Sequence, residues 1–326
     1  MSELNLVQAI GTALRRAMTE DARVLLLGED VGLNGGVFRA SDGLYKSFGD
    51  GRVLDTPLAE AGIVGISIGL AVQGFRPVAE IQFAGFAYTC IDQLLNHASR
   101  MRARTRGRFT CPMVVRTPAG GGIHAVEHHS ESPEAIFAHI PGLKVVTPSS
   151  PQRAYGLLLS AIRDPDPVIF LEPTRLYRAA REAVSDDGVG LPLDRCNILR
   201  SGRDVTLVSW GAMLIETLEA AERLASDNID AEVIDVTTLK PLDSTTIVDS
   251  VARTGRLVIV HEAPMTCGVG AEIAARVASR GLGSLLAPIE RVTGFDTMMP
   301  YPRTEAFYMP GVDRVLAAVR RTMGYT

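Results

Sequence analysis

The sequence Val24-Leu25-Leu26-Leu27-Gly28 decides the fold class, because four consecutive apolar residues end at a glycine. A strand that is buried on both faces has a continuous apolar run, whereas a strand with one solvated face alternates apolar and polar residues. We therefore expect a central strand of a parallel sheet here. The preceding residues 4–18 are predicted to form a helix, since they carry apolar residues at helical spacing. These are Leu6, Ile10, Ala13, Leu14 and Ala17.

Strand and helix patterns continue to alternate after Gly28. Thr56-Pro57 has residue types that are favoured at the N-cap and first position of a helix, which we expect over residues 58–72. Such an alternation predicts a parallel sheet with helices on both faces. The predicted strands are residues 52–55, 78–83, 113–116, 143–146 and 168–171, and the other predicted helices lie near Leu44 and at residues 90–104 and 151–163.

The alternation stops at residues 181–201, where turn-forming sequences such as Ser185-Asp186-Asp187-Gly188 predict a linker. A second alternating unit follows. We therefore predict an α/β protein of two three-layer α/β/α domains with mainly parallel sheets, at residues 1–180 and 202–326. The predicted strands of the second unit are residues 205–209, 232–236, 257–260 and 289–292, and its predicted helices are residues 214–225, 245–252 and 270–278.

Composition argues against several classes of protein. Of the 326 residues, 46% are hydrophobic and 21% are charged, as is typical of a globular protein that can bury a core. The formal net charge of −4 does not favour binding to nucleic acid. The longest apolar run, residues 61–72, is interrupted by glycines and is too short to span a bilayer. We therefore expect neither nucleic acid nor a membrane as a partner.

The start of the chain and its cysteines predict the compartment. The first residues lack the basic and apolar segments of a signal peptide. Cys90, Cys111, Cys196 and Cys267 are scattered and form no C-x-x-C pair, so we expect reduced thiols. Both observations predict a cytoplasmic protein.

Two short motifs that bind metals in other proteins lack their context here. Gly49-Asp50-Gly51 opens a metal-diphosphate motif in some cofactor enzymes, but no asparagine pair follows it, so we predict a surface turn. The stretch from His124 to His128 matches the zinc pattern H-x-x-E-H, which needs both histidines on one helical face. Gly120-Gly121-Gly122 before it and Ser132-Pro133 after it instead predict a loop that leads into a helix. A zinc peptidase is therefore the less favoured reading.

His129 lies in the same glycine-rich segment and has two interpretations. A histidine on a loop can titrate near neutral pH and reach a substrate. The alternative is an exposed polar residue without a function. The residues of the loop do not decide between the two.

Glu60 is predicted to lie in the first turn of the helix at residues 58–72, where the helix dipole favours a carboxylate. Gly62, Gly65 and Gly69 line one face of that helix, although glycine lowers helix stability by about 0.5–1 kcal/mol relative to alanine. Such a stripe predicts that another backbone packs closely, across a subunit interface. A carboxylate at the end of this helix would be desolvated and able to share a proton with a neutral nitrogen base.

Eight short motifs follow one another along the chain. They are Leu27-Gly28-Glu29-Asp30-Val31, Asp55-Thr56-Pro57-Leu58-Ala59-Glu60, Glu80-Ile81-Gln82-Phe83, His129-Ser130-Glu131-Ser132-Pro133-Glu134, Pro141-Gly142-Leu143-Lys144-Val145-Val146, Phe170-Leu171-Glu172-Pro173, Val233-Ile234-Asp235-Val236 and His261-Glu262-Ala263-Pro264. In this order, and over essentially the whole chain, they resemble the β subunit of the E1 component of a 2-oxo acid dehydrogenase complex. That family is similar to the last two domains of transketolase, with a pyrimidine-binding domain and a transketolase C-terminal-like domain.

The resemblance implies thiamine diphosphate as the cofactor, shared between two subunits. In the family, the α subunit binds the diphosphate and its Mg²⁺, and the β subunit binds the aminopyrimidine ring. Glu60 corresponds to the glutamate that hydrogen-bonds the pyrimidine N1′, Phe86 to the aromatic residue on the ring, and Leu58 and Gln82 to the pocket lining. His129 corresponds to the loop histidine implicated in reductive acylation of the lipoyl group.

The resemblance also implies partners and a substrate class. The expected assembly is an α₂β₂ heterotetramer that passes an acyl group to a lipoyl-bearing E2 acyltransferase. Residues 132–139 and 176–180 resemble branched-chain E1 β subunits, so we favour branched-chain 2-oxo acids such as 3-methyl-2-oxobutanoate over pyruvate or acetoin. Some relatives bind a structural K⁺, which would lie here near Met113, Ala161, Asp164 and Asp166.

Other readings stay open at this stage. A single-chain enzyme similar to transketolase or deoxyxylulose-phosphate synthase would need the diphosphate half of the site in the same chain, and the motif for that half is incomplete. A non-catalytic assembly subunit could keep the same fold. Activity measured with and without an α subunit separates these alternatives.

Overall fold

The apolar run that opens at Val24 is a fully buried parallel strand, as predicted, but it lies next to an edge strand of the larger of two main sheets and not at its centre. A computed structural model describes residues 1–325 of the chain. The elements of the first half are β1 (Ser2–Leu4), α1 (Leu6–Glu20), β2 (Val24–Gly28), α2 (Leu44–Phe48), β3 (Val53–Asp55), α3 (Glu60–Val72), β4 (Arg76–Glu80), α4 (Ile91–Gln93), α5 (Met101–Arg104), β5 (Val114–Ala119), α6 (Glu134–His139), β6 (Lys144–Val146), α7 (Pro151–Arg163), β7 (Val168–Pro173) and β8 (Glu182–Val184).

The second half repeats the alternation of strands and helices. Its elements are β9 (Asn197–Arg200), β10 (Val205–Ser209), α8 (Leu214–Ser226), β11 (Ala231–Asp235), β12 (Thr238–Lys240), α9 (Ser244–Thr254), β13 (Leu257–Pro264), α10 (Val269–Gly281), β14 (Glu290–Gly294), α11 (Pro302–Tyr308) and α12 (Val312–Met323). The last two helices were not predicted from the sequence.

The larger sheet has seven strands in the order β12-β6-β7-β5-β4-β2-β3, and all are parallel except β12. Successive residues of a strand point to opposite faces, so its apolar runs serve two cores. Leu26 of β2 packs in one core with α1 and α7. Its neighbour Leu27 packs in the other with α3 and α6. This explains why the central strands have no polar face, and it confirms the three-layer arrangement.

The smaller sheet has five strands in the order β14-β13-β10-β11-β9, of which only β9 is antiparallel to its neighbour. One face packs on α8 and α12. The other face packs on α9 and α10, and this core is continuous with the α3 side of the larger sheet. The mainly parallel α/β class predicted from the sequence is therefore confirmed, and a shared core joins the two sheets.

Two segments take part in pairings that the sequence did not predict. Strand β12 lies within residues 202–326 but pairs antiparallel with β6 at the edge of the larger sheet. The segment predicted as a linker, residues 181–201, contains β8, which pairs with β1, and β9, which pairs with β11. Hydrophobic periodicity can identify a strand, but it does not specify the partner of that strand.

The predicted start of α3 was wrong. Thr56-Pro57 does not begin the helix, because the amide of Thr56 donates to the carbonyl of Gly28 at 3.0 Å and thereby extends the pairing of β3 with β2. The helix begins at Glu60, with Ala59 as its N-cap residue. Glu60 is still in the first turn, but it occupies the first helical position.

The predicted helix over residues 90–104 is divided into short α-helical, π-helical and α-helical segments. At the break, the hydroxyl of Ser99 and the guanidinium of Arg100 both donate to the carbonyl of Leu95, each at 2.9 Å. Side chains that bond to a helix carbonyl compete with the backbone ladder. The competition accounts for the interrupted helix.

Within residues 1–325, no helix is long and apolar enough to cross a membrane. All four cysteines are unpaired, as predicted, and two of them are buried. Gly49 adopts a left-handed backbone conformation with open space around it, which agrees with the predicted surface turn.

Candidate active site at the carboxyl ends of the strands

The predicted catalytic and cofactor-binding residues follow the carboxyl ends of three strands, β3, β4 and β5, which lie close together on either side of β2 in the larger sheet. Parallel strands place these ends on one edge of the sheet, where α/β proteins bind ligands. Leu58 and Glu60 follow β3, Gln82 and Phe86 follow β4, and His129 lies in the loop that follows β5. The topology therefore brings the predicted residues to a common edge.

Glu60 lies close to a second carboxylate that the resemblance did not assign. Glu29 directly follows β2 and is only 7% exposed, and its Oε1 atom has no hydrogen-bond partner within the described residues. Burial raises the pKa of Glu29, and the charges of Glu60 and Asp30 raise it further. Burial and, to a smaller degree, Glu60 also raise the pKa of Cys90 to about 12. Glu60 itself is half-buried, so an acidic pair with one buried member lies at the first turn of α3.

Leu58 and Gln82, the predicted pocket-lining residues, differ in their exposure to solvent. The side chain of Leu58 is 80% exposed, so it contacts little of its own chain. Gln82 is half-buried beyond the end of β4. One exposed apolar side chain is common on a protein surface, so the pocket-lining role of Leu58 stays a prediction.

Phe86 and His129 are in one aromatic cluster. The His129 ring lies 4.0 Å from the ring of Phe83 and 5.5 Å from that of Phe86, measured between centroids. The ring of His128 lies 5.3 Å from Phe86. The Nδ1 atom of His129 is buried without a hydrogen-bond partner in the described chain. His129 is thus half-buried and has an unused polar atom, which disfavours the reading as an exposed loop residue.

The H-x-x-E-H stretch is a loop, as predicted, and its two histidines do not share a helical face. Residues Glu127–His129 form one turn of 3-10 helix, and His124 has a left-handed backbone conformation. The next helix begins at Glu134 and not at Pro133, since the hydroxyl of Ser132 donates to Glu262 instead of capping it. Residues 1–325 contain no group of three metal-ligating side chains.

A buried ionic network beneath the site was missed by sequence reasoning. Arg116 on β5 donates two hydrogen bonds of 2.7 Å to Glu172 on β7 and pairs with Glu80 on β4. The hydroxyl of Tyr177 donates to Glu172 at 2.5 Å. Burial raises the pKa of Glu80 against the opposing charge of Arg116. The sequence did contain a signal for this network. Each of its charged residues lies in a mostly apolar strand, and a charge buried there needs a counter-charge.

A second group of buried acids lies between the two sheets. Glu134 accepts a hydrogen bond of 3.2 Å from the indole of Trp210, and Glu262 accepts one of 3.0 Å from Ser132. Burial raises the pKa of each carboxyl to about 7. The ring of His261 stacks on Trp210, and burial lowers the pKa of His261 to about 4. The two carboxyls line a small cavity that also borders Gly120.

The predicted potassium ligands are engaged with their own chain. The carbonyls of Met113 and Ala161 accept amide hydrogen bonds from Val168 and Asp164, at 3.0 and 3.3 Å. The carboxylate of Asp164 pairs with the ammonium of Lys144, and that of Asp166 pairs with Arg102 at 2.8 Å. Cations from the chain thus already neutralise both carboxylates. These contacts do not favour a potassium ion, and the site stays a prediction.

Comparison with protein families gives two matches. The family described as Transketolase, pyrimidine binding domain matches residues 2–180, and the family described as Transketolase, C-terminal domain matches residues 194–315. A solved structure of a split-gene transketolase, an inactive β4 tetramer, superposes with a TM-score of 0.82 over 99% of both chains. Since the two sequences are 23% identical, this likeness concerns the fold.

Curated relatives match over the full length. The pyruvate dehydrogenase E1 component subunit beta of Bacillus subtilis (strain 168) is 46% identical over 325 residues, covering 100% of both chains. That of Staphylococcus epidermidis is 47% identical over 325 residues, with the same coverage. That of Acholeplasma laidlawii is 45% identical over 321 residues and 98% of both chains. The chain therefore belongs to the transketolase-like family of E1 β subunits of 2-oxo acid dehydrogenases.

Proposed function

We propose that this chain is the β half of a thiamine-diphosphate-dependent E1 enzyme that decarboxylates pyruvate and acylates the lipoyl group of an E2 acyltransferase. The observation that carries the proposal is the full-length identity of 45–47% to proteins named as pyruvate dehydrogenase E1 β subunits. The placement of Glu60, Phe86 and His129 at one edge of the larger sheet supports it.

The residues at this edge fit an aminopyrimidine ring. Glu60 offers a carboxylate at the first position of α3, and Glu29 offers a buried oxygen without a partner. Half-buried Phe86 offers an aromatic face, and Leu58 and Gln82 are available to line the ring. When bound, thiamine diphosphate supplies the carbanion chemistry of decarboxylation.

Glu60 is the proton partner of the pyrimidine N1′ in this proposal. A ring bound against the half-buried Glu60 would displace water that competes for its carboxylate, which strengthens a hydrogen bond to a ring nitrogen. Burial, and next the charge of Glu60, raise the pKa of the neighbouring Glu29.

His129 is the proton donor for lipoyl acylation. Opening of the lipoyl dithiolane breaks its S–S bond, so that one sulfur takes the acyl group and the other takes a proton. An imidazolium on a loop above the ring can supply that proton. The unpartnered Nδ1 atom of His129 supports the role, because one ring nitrogen is not committed within this chain.

The other half of the site is proposed to come from an α subunit. The Gly49-Asp50-Gly51 turn is exposed, and no later asparagine pair completes a diphosphate motif. We propose that the α chain binds the diphosphate and Mg²⁺, that two copies of each chain form an α₂β₂ heterotetramer, and that the E2 acyltransferase accepts the acyl group. The division into residues 1–180, 181–201 and 202–326, the potassium site and the cytoplasmic location stay predictions.

Pyruvate replaces branched-chain 2-oxo acids as the favoured substrate. The local likeness of residues 132–139 and 176–180 to branched-chain enzymes concerns short stretches, whereas the pyruvate-named relatives match over 98–100% of the chain. Full-length similarity is the stronger argument. Branched-chain 2-oxo acids and acetoin are therefore retained only as competing substrates in the test.

The test is to purify the chain alone and with its α partner. Decarboxylation is measured with pyruvate and with 3-methyl-2-oxobutanoate, and turnover is measured with acetoin. We expect activity only in the two-chain assembly, with pyruvate giving the highest kcat/KM. Appreciable turnover by this chain alone would contradict the half-site. A higher kcat/KM for 3-methyl-2-oxobutanoate would restore the branched-chain assignment.

A further inference from the structure

The loop that carries His129, residues 120–133, is held by a buried carboxylate of the second domain. Glu305 lies in the short helix α11 and is only 2% exposed. Its Oε1 atom accepts a hydrogen bond of 2.8 Å from the amide of Gly122. Its Oε2 atom accepts one of 3.1 Å from the amide of His124 and lies 2.9 Å from Nδ1 of the same residue. One side chain therefore holds two successive parts of the loop, which we call the His129 loop.

A second carboxylate supports the two ends of the His129 loop. Glu262, at the end of β13, accepts a hydrogen bond of 3.0 Å from the hydroxyl of Ser132, near one end of the loop, and lies against Gly120 at the other. A Cβ atom at Gly120 would clash with the Oε1 atom of Glu262. The close approach explains why glycine is needed at this position, and it ties the base of the loop to the smaller sheet.

The first domain contacts the opposite side of the same loop. The ring of His129 lies on Phe83, and a Cβ atom at Gly85 would clash with the carbonyl of His128. The hydroxyl of Tyr88 donates to Glu131 at 2.9 Å. The His129 loop is therefore enclosed between aromatic groups of the first domain and carboxylates of the second.

The loop has little tendency of its own to adopt this conformation. Three successive glycines raise the entropy that is lost when it is ordered, and His124 has a left-handed backbone with φ of 56°. Hydrogen bonds from amides to a carboxylate are roughly twice as strong as neutral ones. Buried Glu305 therefore supplies interactions that favour one conformation of the loop.

We propose that Glu305 is a positioning residue that acts through His129 in lipoyl acylation. The contacts of Glu305 with Gly122 and His124 hold the loop so that the imidazole of His129 lies on Phe83 and Phe86. Glu305 itself does not contact the reacting atoms. This inference rests on the proposed function, and it makes the second domain a determinant of the acylation step.

The discriminating variant is Glu305→Gln, which keeps the size and shape of the side chain. An amide has one acceptor oxygen and one donor group, so its NH₂ must face either the Gly122 or the His124 amide. One of the two contacts is lost, while the packing of α11 is kept. In the assembled α₂β₂ enzyme, we expect the rate of acylation of a free lipoyl domain to fall by about 10-fold. Decarboxylation of pyruvate with an artificial electron acceptor should fall much less.

A double-mutant cycle separates positioning from a general structural effect. If Glu305 acts through His129, then Glu305→Gln has no further effect on acylation in the His129→Ala background. Additive losses in the cycle, or equal losses in both assays, would overturn the proposal. If His129→Ala alone lowers acylation and decarboxylation by the same factor, the role proposed for His129 is contradicted instead.

Hydrogen exchange of the assembled protein provides a readout that does not need activity. Glu305→Gln should speed exchange of the amides in residues 120–130 by at least several-fold, with little change in β5. If Glu305→Gln does not assemble, the same measurement is made on Glu305→Asp, which keeps the charge but shortens the side chain. Glu232→Gln is the matched control, since Glu232 is also buried in the second domain but pairs with Arg253, away from the loop. Unchanged exchange in the loop would sink the proposal.

Discussion

Single buried charges define where this protein is most sensitive to substitution. Arg116 is 1% exposed and is shared by Glu80 and Glu172, so its guanidinium balances two carboxylates that water cannot reach. Removing one partner of a buried ion pair leaves an uncompensated charge, which costs far more than the pair contributes. The network joins the middle of β5 to the ends of β4 and β7, and it therefore links three of the strands that form the edge from which the site residues extend.

We expect Arg116→Leu to lower the free energy of unfolding by about 3–5 kcal/mol. The reason is the loss of the counter-charge for Glu80 and Glu172, both of which remain buried. Urea unfolding of the purified chain measures the change. Arg102→Leu is the control, because the Arg102–Asp166 pair is partly exposed and should contribute less than about 1 kcal/mol. Similar losses in the two variants would contradict a special role of the buried network.

Glu134 should make stability depend on pH in a defined direction. Burial raises the pKa of its carboxyl from the ordinary value of 4.5 to about 7 in the folded chain. Between these values the folded protein keeps a proton that the unfolded chain releases, so the free energy of unfolding falls as pH rises. Above pH 7 the folded protein bears the full free-energy cost of ionising the buried Glu134 carboxyl, which is about 3 kcal/mol at most.

Glu134→Gln removes that titration and keeps an acceptor for the Trp210 indole. We expect its free energy of unfolding to decline less between pH 5 and pH 8 than that of the parent chain, by about 2–3 kcal/mol. Urea unfolding at four pH values tests this. The exposed residue Glu219 provides the control Glu219→Gln, which should leave the pH profile unchanged. Parallel profiles for Glu134→Gln and the parent chain would count against the mechanism.

At the scale of elements, helix α3 has a face that its own chain leaves open. A Cβ atom at Gly69 would have nothing within 4 Å, and one at Gly65 would meet only Gln93 at 3.5 Å. The glycines are therefore not required by packing within residues 1–325. That another chain packs on this face stays a prediction from the sequence, and the open space at Gly69 is consistent with it.

Gly69→Ala should thus have opposite effects on the chain and on the assembly. Alanine favours the helix by about 0.5–1 kcal/mol, so we expect the isolated chain to become more stable by that amount in urea unfolding. Association with the α subunit should weaken, because the added methyl group separates two close backbones. Gly11→Ala in α1 is the contrast, since its Cβ would lie 2.7 Å from the carbonyl of Ala40 and should destabilise the chain. Unchanged association would refute an interface at Gly69.

The sequence predicted elements well and long-range contacts poorly. The run at Val24 predicted β2 because burial on both faces leaves a direct trace in composition. The start of α3 was missed since Thr56 continues strand pairing, which is a tertiary preference that local residue types do not record. The partner of β12 and the hold of Glu305 on the His129 loop join residues 90–180 positions apart. No periodicity within a window of residues encodes such contacts.

The candidate site was predictable in part for a related reason. Glu60 follows the predicted strand at residues 52–55, whereas Gln82 fell inside the predicted strand at residues 78–83, which in the structure ends at Glu80. Their roles came from the family resemblance. Glu29 was quoted within a motif without a role, and its importance depends on burial beside Glu60, which only the folded chain reveals.

At the scale of the whole molecule, the proposed function makes this chain one half of an enzyme. The site has a carboxylate, an aromatic cluster and an exposed Leu58, yet the only Gly-Asp-Gly sequence lies in a surface turn. A shared core fixes the two sheets together, so the second domain can act on the site loop through Glu262 and Glu305. We therefore predict that replacing one carboxylate oxygen of the site by an amide nitrogen can abolish catalysis while the subunits still assemble.

Glu60→Gln tests that separation. The amide has the same shape, so we expect the α₂β₂ assembly to form and thiamine diphosphate to bind within about 10-fold of the parent affinity. Activity should fall by about 100-fold or more, because an amide cannot take part in proton sharing with a ring nitrogen. Calorimetry of cofactor binding and pyruvate turnover measure the two effects on the same sample. Glu3→Gln, at an exposed position of β1, is the control and should change neither. Near-normal turnover of Glu60→Gln would remove Glu60 from the mechanism, whereas failure to assemble would make it a structural residue of the interface.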